Sequence, residues 1–108
     1  MIDTETLEKL LKFRDDRDWE QFHNSKDLAL ALSIEASELL EIFLWKKSED
    51  FSKDKLEEEL ADVFMYGLLL AHKNNIDINK IILKKLHKND EKYPVNKAKG
   101  RADKYDEL

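Results

Sequence analysis

Two pairs of acidic residues have the spacing and surroundings of a metal site. The pairs are Glu35 with Glu38 and Glu59 with Asp62, and the members of each are three positions apart. On a helix, such positions lie about 60° apart around the axis and about 4.5 Å apart along it, so each pair points in nearly one direction. Both pairs lie in otherwise apolar sequence, and burying an acid costs several kcal/mol unless a positive group meets it. We therefore expect the four acids to share a divalent cation.

The available ligand types predict which cation this is. All four acids offer oxygen, and the chain contains no cysteine. Oxygen ligands without sulfur or paired histidines favour Mg²⁺, with Mn²⁺ as the alternative, over zinc. A di-iron site is disfavoured, because carboxylate bundles that hold iron use Glu-x-x-His on two helices. Only Glu20 and His23 have that spacing in this chain.

The competing interpretation of the acids is a solvated helix face. Glu41 continues the row begun by the first pair, and acids early in a helix, such as Glu58 and Glu59, are favoured by the helix dipole. Asp62 weakens this interpretation, because it lies a turn further along among apolar residues.

A second set of polar residues is predicted on one face of the last long helix. Lys85, Asn89 and Lys92 are spaced i, i+4 and i+7, which places them on one side. Two ammonium groups can bind phosphate oxygens, and the amide beside them can form hydrogen bonds with a sugar or with the edge of a base. The alternative is a solvated basic stripe opposite the apolar side of the same helix.

Aromatic residues form a third set of candidates. Trp19, Trp45 and Tyr66 lie near predicted helix ends or one turn from the acids, where rings favour stacking on a nucleobase. The alternative is ordinary core packing, and a structural role is the more common one for His23. No arrangement for nucleophilic catalysis and no glycine-rich phosphate loop is evident in the sequence.

Composition places these residues in one all-α domain. The chain has 108 residues, 42% of them hydrophobic and 40% charged, and its two glycines and one proline leave few turns for a many-stranded sheet. No apolar run approaches the 18 or so residues of a membrane span, and the acidic start lacks the features of a signal peptide. We expect a cytoplasmic protein without a membrane partner.

The charge is unevenly distributed. The net charge is −5, but residues 84–105 carry an excess of basic side chains. An acidic protein is a poor candidate for nucleic-acid binding, whereas a basic end beside an acidic metal site suits a small polyphosphate. A solvated basic tail is the alternative.

Four helices are expected, over residues 3–18, 26–46, 54–73 and 78–93, with a short ordered connection at 19–23. Their predicted N-caps are Asp3 or Thr4, Asn24-Ser25, Ser52 and Asp77. Residues 95–108 are expected to form an extended basic tail.

The apolar residues of the second helix, and of the second half of the third, cover most of the helix circumference. A helix that is apolar all round is buried all round. Four helices cannot easily surround it, so we expect a homo-oligomer, either a dimer or a tetramer.

With these residues assembled, the chain resembles the MazG-like all-α nucleoside triphosphate pyrophosphohydrolases. Their hallmark, Glu-x-x-Glu followed after a spacer by Glu-x-x-Asp, corresponds to the two acid pairs. The chain is most similar to the dCTP pyrophosphatase branch, over roughly residues 12–108. The further shared segments are Arg17-Asp-Trp19-Glu-Gln-Phe22-His23, the Leu-Ala-Leu run before the first pair, Phe43-x-Trp45-Lys46, Glu58-Glu59-Leu-x-Asp62-Val63 with Tyr66, Asn89-x-x-Lys92-Tyr93-Pro94-Val95 and Lys104-Tyr105-x-Glu107-Leu108.

The resemblance implies a four-helix bundle completed by oligomerisation. It also implies Mg²⁺-dependent hydrolysis of a nucleoside triphosphate to the monophosphate and pyrophosphate, in a nucleotide-pool housecleaning role and with dCTP or a related deoxynucleotide favoured. The two acid pairs would hold Mg²⁺, and Glu35 or Glu38 would accept a proton from the attacking water. The implied substrate contacts are Trp19, His23, Trp45, Tyr66, Lys85, Asn89 and Lys92, with Lys99, Arg101 and Lys104 of the same or another subunit.

Two alternatives remain open. One is a non-catalytic helical dimerisation or regulatory module. The other keeps the enzyme class but changes the bond that is cut, releasing two orthophosphates or acting on diphosphates.

Overall fold

A computed structural model describes residues 2–47 and 49–108, and its regular elements are all helical. The α-helices are α1 (Thr4–Asp16), α2 (Ser25–Glu41), α3 (Lys53–Lys73), α4 (Ile78–Lys92) and α5 (Val95–Ala98). Single 3₁₀ turns occupy Glu20–Phe22 and Tyr105–Glu107. The predicted all-α class is confirmed, and within the described residues there is no strand.

Side-chain caps begin each of the four long helices. Asp3 accepts a hydrogen bond from the backbone N–H of residue 6 at 2.7 Å, and Asn24 accepts one from that of residue 27 at 2.8 Å. Ser52 and Asp77 cap α3 and α4 in the same way, at 3.3 and 3.2 Å. Each cap satisfies a backbone donor that the helix cannot satisfy itself. The predicted helix starts are therefore confirmed, with Asp3 rather than Thr4 and Asn24 rather than Ser25 as the N-cap.

Two predicted helix ends were wrong because non-glycine residues adopt left-handed backbone there. The first helix ends at Asp16 rather than residue 18, since Asp18 has φ 54°. The second ends at Glu41 rather than at residue 45 or 46, and the turns that follow include Trp45 with φ 64°. Neither position carries a glycine, the usual signal for left-handed backbone, so these turns were not predictable from residue type.

The chain divides into two compact units, Met1–Ile76 and Asp77–Leu108. In the first unit, α2 packs along α3, and α1 also contacts α3. Leu28 of α2 and Leu69 and Ala71 of α3 are buried in this core. The side chain of Asn74 donates to the hydroxyl of Ser25 at 3.1 Å, which joins the end of α3 to the start of α2. The expected single domain over residues 1–108 stays a prediction.

The second unit contains α4 and a folded C-terminal segment, which corrects the expectation of an extended tail. The ring of Tyr105 lies edge-to-face on that of Tyr93, with centroids 6.2 Å apart. Gly100, at φ 77°, provides the left-handed backbone within this segment. Ring packing therefore holds part of residues 95–108 in place.

Large apolar side chains remain exposed on the helices of the first unit. Leu30 and Ile34 lie one turn apart on α2 and are 51% and 58% exposed, and Phe64 of α3 is 48% exposed. This exposure accords with the expected homo-oligomer, which stays a prediction. None of the helices in the described residues is both long and apolar enough to traverse a lipid bilayer.

Candidate metal centre

The packing of α2 on α3 brings three of the four predicted ligands together. One carboxylate oxygen from each of Glu35, Glu38 and Glu59 lies within 4.8 Å of those of the other two. The i, i+3 spacing directs the two α2 acids towards one side of their helix, and α3 supplies the third. Three oxygens at this separation can coordinate one small cation, since Mg²⁺–oxygen distances are about 2.1 Å.

Two carboxylate oxygens in this cluster are buried and have no hydrogen-bond partner. They are Oε2 of Glu35 and Oε2 of Glu59, one from each helix. A buried carboxylate oxygen without a donor loses its hydration and gains nothing in return. The acids therefore fit a bound cation, which would supply the missing partner to both oxygens.

Electrostatics at the cluster lead to the same conclusion. Burial, followed by the neighbouring carboxyl of Glu38 and then by Asp62 and Glu59, raises the pKa of Glu35 from its ordinary 4.5 to about 7. Burial, followed by the charges of Glu38 and Asp62, also raises the pKa of Glu59. Crowded carboxylates resist ionisation because each charge repels the next. A divalent cation would reverse this effect and keep the acids ionised.

Asp62 lies close to the cluster but is not one of its three mutually close acids. Its charge contributes to the raised pKa of both Glu35 and Glu59. The side chain is half-buried on α3. Its role as a fourth ligand stays a prediction.

His23 lies in a separate cleft of the first unit. The cleft has a volume of about 180 Å³ and is lined by Arg14, Glu20, His23, Leu28, Leu69, His72 and Lys73. Nδ1 of His23 is buried without a partner, and burial, followed by the positive charge of Arg14, lowers the pKa of this histidine. His23 thus belongs to a mixed polar cleft, and the acidic cluster is formed by other residues.

The three predicted aromatic contacts occupy different settings. Trp19 follows α1 and is 43% exposed, whereas Tyr66 is half-buried on α3, one turn beyond Asp62. Trp45 is 98% exposed in a left-handed conformation, which is an unusual backbone for a bulky residue. Strained, exposed positions of this kind cluster at ligand-binding sites.

The remaining predicted contacts belong to the second unit. Asn89 is half-buried there, and the five basic residues Lys85, Lys92, Lys99, Arg101 and Lys104 are exposed. Nζ of Lys92 lies 4.8 Å from the centre of the Tyr105 ring, and Arg101 pairs with Asp103. The ring and the carboxylate therefore restrict two of these cations within their own unit.

Arg14 was not singled out from the sequence, although it is 8% exposed and pairs with Asp15 at 2.8 Å. A signal was available, because Arg14 continues the i, i+3, i+7 stripe begun by Leu7 and Leu10. A charged residue on an apolar stripe indicates a buried side chain that needs a partner, here Asp15, whose own side chain is 53% exposed.

The chain is similar to a known family, to individual relatives and to a solved structure. The model of the MazG-like family matches residues 30–108. The dCTP pyrophosphatase 1 proteins of Rattus norvegicus and Bos taurus are 37% and 38% identical over 105 residues, which cover 90% of this chain and 62% of each relative. The chain thus spans about three fifths of the length of these curated relatives. A pyrophosphatase from Archaeoglobus fulgidus, known from a crystal structure, is 42% identical in sequence to this chain. The match has a TM-score of 0.79 and covers 83% of this chain and 90% of that one.

Proposed function

The chain belongs to the MazG-like family, and we propose that it is a Mg²⁺-dependent nucleoside triphosphate pyrophosphohydrolase. The reaction would convert a (deoxy)nucleoside triphosphate and water to the monophosphate and pyrophosphate. The observation that supports this most directly is the pair of buried, unpartnered carboxylate oxygens on Glu35 and Glu59, with Glu38 close to both.

Glu35, Glu38 and Glu59, with Asp62 as the fourth ligand, would hold Mg²⁺, or Mn²⁺ in its place. When bound, the cation supplies charge neutralisation for the phosphate chain and acidifies water. The all-oxygen donor set supports this choice of metal, because hard cations prefer carboxylate oxygen.

The residues of the chain itself would move the proton. Glu38 or Glu35 would accept a proton from a water molecule as its oxygen attacks the α-phosphorus. The bond from that phosphorus to the bridging oxygen then breaks, and pyrophosphate leaves with its electron pair.

The substrate would be held at its two ends by different residue types. Lys85 and Lys92 would bind the β- and γ-phosphate oxygens, with Lys99, Arg101 and Lys104 from the same or another subunit. Trp19, Trp45, Tyr66 and Asn89 would contact the base and sugar, with His23 as a further contact. The relatives named dCTP pyrophosphatase 1 support dCTP or a related deoxynucleotide as substrate, in a housecleaning role.

We also propose that four-helix bundles are completed by oligomerisation, as a dimer or tetramer. The support is the exposure of Leu30, Ile34 and Phe64 on helices whose opposite sides form the core. Apolar surface of this extent on a small domain usually marks an interface.

A turnover assay with matched variants tests the proposed function. We expect wild-type protein with Mg²⁺ to release pyrophosphate from at least one deoxynucleoside triphosphate. Replacing Glu38 by Gln should lower kcat/KM by about 10²-fold or more, since it removes a ligand and a candidate base. Glu41→Gln is the matched control, because Glu41 lies three residues further along α2 and outside the cluster.

Two results would overturn the proposal. No turnover of any nucleotide would favour the non-catalytic dimerisation module. Equal turnover in Glu38→Gln and Glu41→Gln would show that the acidic cluster plays no part in hydrolysis.

A further inference from the structure

A chain reversal after α1 brings Trp19 back onto the helix that it follows. The left-handed Asp18, at φ 54°, makes the turn, and the backbone N–H of Trp19 donates to the carbonyl of Arg14 at 3.1 Å. The indole then packs edge-to-face on the ring of Phe13, with centroids 5.7 Å apart. This geometry is a favourable one for two aromatic rings.

Arg17 covers this pair of rings. Its guanidinium carbon lies 3.7 Å from the centre of the Phe13 ring and 5.9 Å from that of Trp19, both within the range of a cation–π interaction. Nη1 also donates to the carbonyl of Phe13 at 2.9 Å, which fixes the guanidinium in place. The guanidinium thus lies on the Phe13 ring, near the outer limit of cation–π distance from the Trp19 ring, and is hydrogen-bonded to the last turn of α1.

The stack is ordered but accessible. Phe13 is 48% exposed and Trp19 is 43% exposed, so the rings remain available to a ligand. An exposed indole held against a second ring and a guanidinium is already restricted in orientation. Stacking on such a ring loses less conformational entropy than stacking on a free side chain.

An ordinary role for Arg17 is to neutralise the C-terminal end of α1, whose carbonyls accept from cations. That role affects the free energy of unfolding and has no effect on ligand binding. The contact with the Trp19 ring has no part in such a cap, because the cap requires only the Phe13 carbonyl. The two roles are therefore separable by experiment.

We propose that Arg17 is a positioning residue that holds the Trp19 ring in the orientation that stacks on the nucleobase of the substrate. The inference rests on the proposed nucleotide substrate and deepens it, since it assigns recognition of the base to a Phe13–Arg17–Trp19 stack. Arg17 would act through the indole.

Fluorescence of Trp19 gives a readout that does not need hydrolysis. The chain has two tryptophans, so Trp45→Phe, which keeps an aromatic ring at a proposed base contact, leaves Trp19 as the sole indole and serves as the reference for each Kd. We expect dCMP to quench its emission, and 2-deoxyribose 5-phosphate, which has the phosphate without the base, to leave it unchanged. In this background, Arg17→Met should raise the Kd for dCMP about two- to fivefold, the range of one cation–π contact.

Two further variants complete the design. Arg17→Lys should restore little of the affinity, because an ammonium lacks the planar stacking surface. Lys12→Met removes another exposed cation of α1, one paired with Asp16, and should leave the Kd unchanged. With dCTP and Mg²⁺, Arg17→Met should raise KM by a similar factor and leave kcat within about twofold.

Several outcomes overturn the inference. They are a failure of dCMP to quench the emission of Trp19, an unchanged Kd for dCMP in Arg17→Met, and an equal loss of affinity for dCMP in Lys12→Met. A lower melting temperature in Arg17→Met with an unchanged Kd for dCMP would show that Arg17 acts only as a helix cap. Quenching by dCMP without hydrolysis of dCTP would instead overturn the proposed function and leave the inference standing.

Discussion

Glu35 shows how the surroundings of one residue change its chemistry. The pKa of a glutamate carboxyl in water is 4.5, whereas burial and the adjacent acids of α2 and α3 raise the pKa of Glu35 to about 7. Without a cation, the folded protein holds a proton that the unfolded chain releases at neutral pH. The stability of the metal-free protein should therefore depend on pH.

We predict that in EDTA the contribution of Glu35 to the free energy of unfolding falls as pH rises from 4.5 to about 7, whereas the lowered pKa of His23 contributes with the opposite sign. Below 4.5 both states are protonated at Glu35, so the contribution is fully present, and it is lost as pH rises through the folded pKa. Urea unfolding across this range measures the decline. Glu35→Gln should make it shallower, whereas Glu41→Gln should leave it as in wild type.

Added Mg²⁺ should reverse the trend in the same experiment. Binding needs ionised carboxylates, so the gain in stability should increase with pH. The same pH dependence of stability in metal-free wild type and in Glu35→Gln, or a protein that Mg²⁺ does not stabilise, would contradict the role given to Glu35.

The residues of the site were predictable to different degrees. Spacing predicted that Glu35, Glu38 and Glu59 lie together, and the packing of α2 on α3 brings their carboxylates together. Their role as metal ligands stays a prediction. The approach of Arg17 to Trp19 was not predictable, since it depends on a left-handed Asp18 that returns Trp19 to the helix. Residues brought together by an irregular turn leave no periodic signal.

At the scale of elements, the N-caps set where each helix begins and hence the direction in which its acids point. Ser52 caps α3, and its hydroxyl accepts from the N–H of Lys55 seven residues before Asp62. The predicted helix starts were correct because caps are local and chemically specific. The ends of the first two helices were wrong because their turns use aspartate and tryptophan in left-handed backbone.

We predict that Ser52→Ala lowers the free energy of unfolding by about 1 kcal/mol, the usual cost of losing a serine cap. Urea unfolding measures this change. Ser33→Ala, on the exposed middle of α2, is the matched control, and it should change stability by at most a few tenths of a kcal/mol in the favourable direction. Equal effects of the two substitutions would show that the cap contributes nothing.

At the scale of the whole molecule, the distribution of apolar surface is the main feature. Leu28, at 1% exposure, lies on α2 only two residues from Leu30, at 51%. One side of the helix thus forms the core and another side is uncovered. The sequence predicted that the uncovered side of α2 is buried by another copy of the chain. The number of copies does not follow from the apolar pattern of one helix.

We predict that the protein elutes as a dimer or tetramer in size-exclusion chromatography with light scattering. Leu30→Lys should shift the population towards monomer and lower the melting temperature, because it places a charge on the uncovered face. Lys12→Met, on exposed α1, is the control for general effects of a surface substitution. A wild-type protein that is monomeric at all concentrations would contradict the prediction.

The most direct test of the central claim is ³¹P NMR of dCTP incubated with wild-type protein and Mg²⁺. The account predicts loss of the triphosphate resonances and the appearance of dCMP and pyrophosphate in equal amounts, with both products forming about 10²-fold more slowly or not at all when Glu38→Gln replaces the wild type. Release of orthophosphate in place of pyrophosphate, or an unchanged dCTP spectrum, would contradict it.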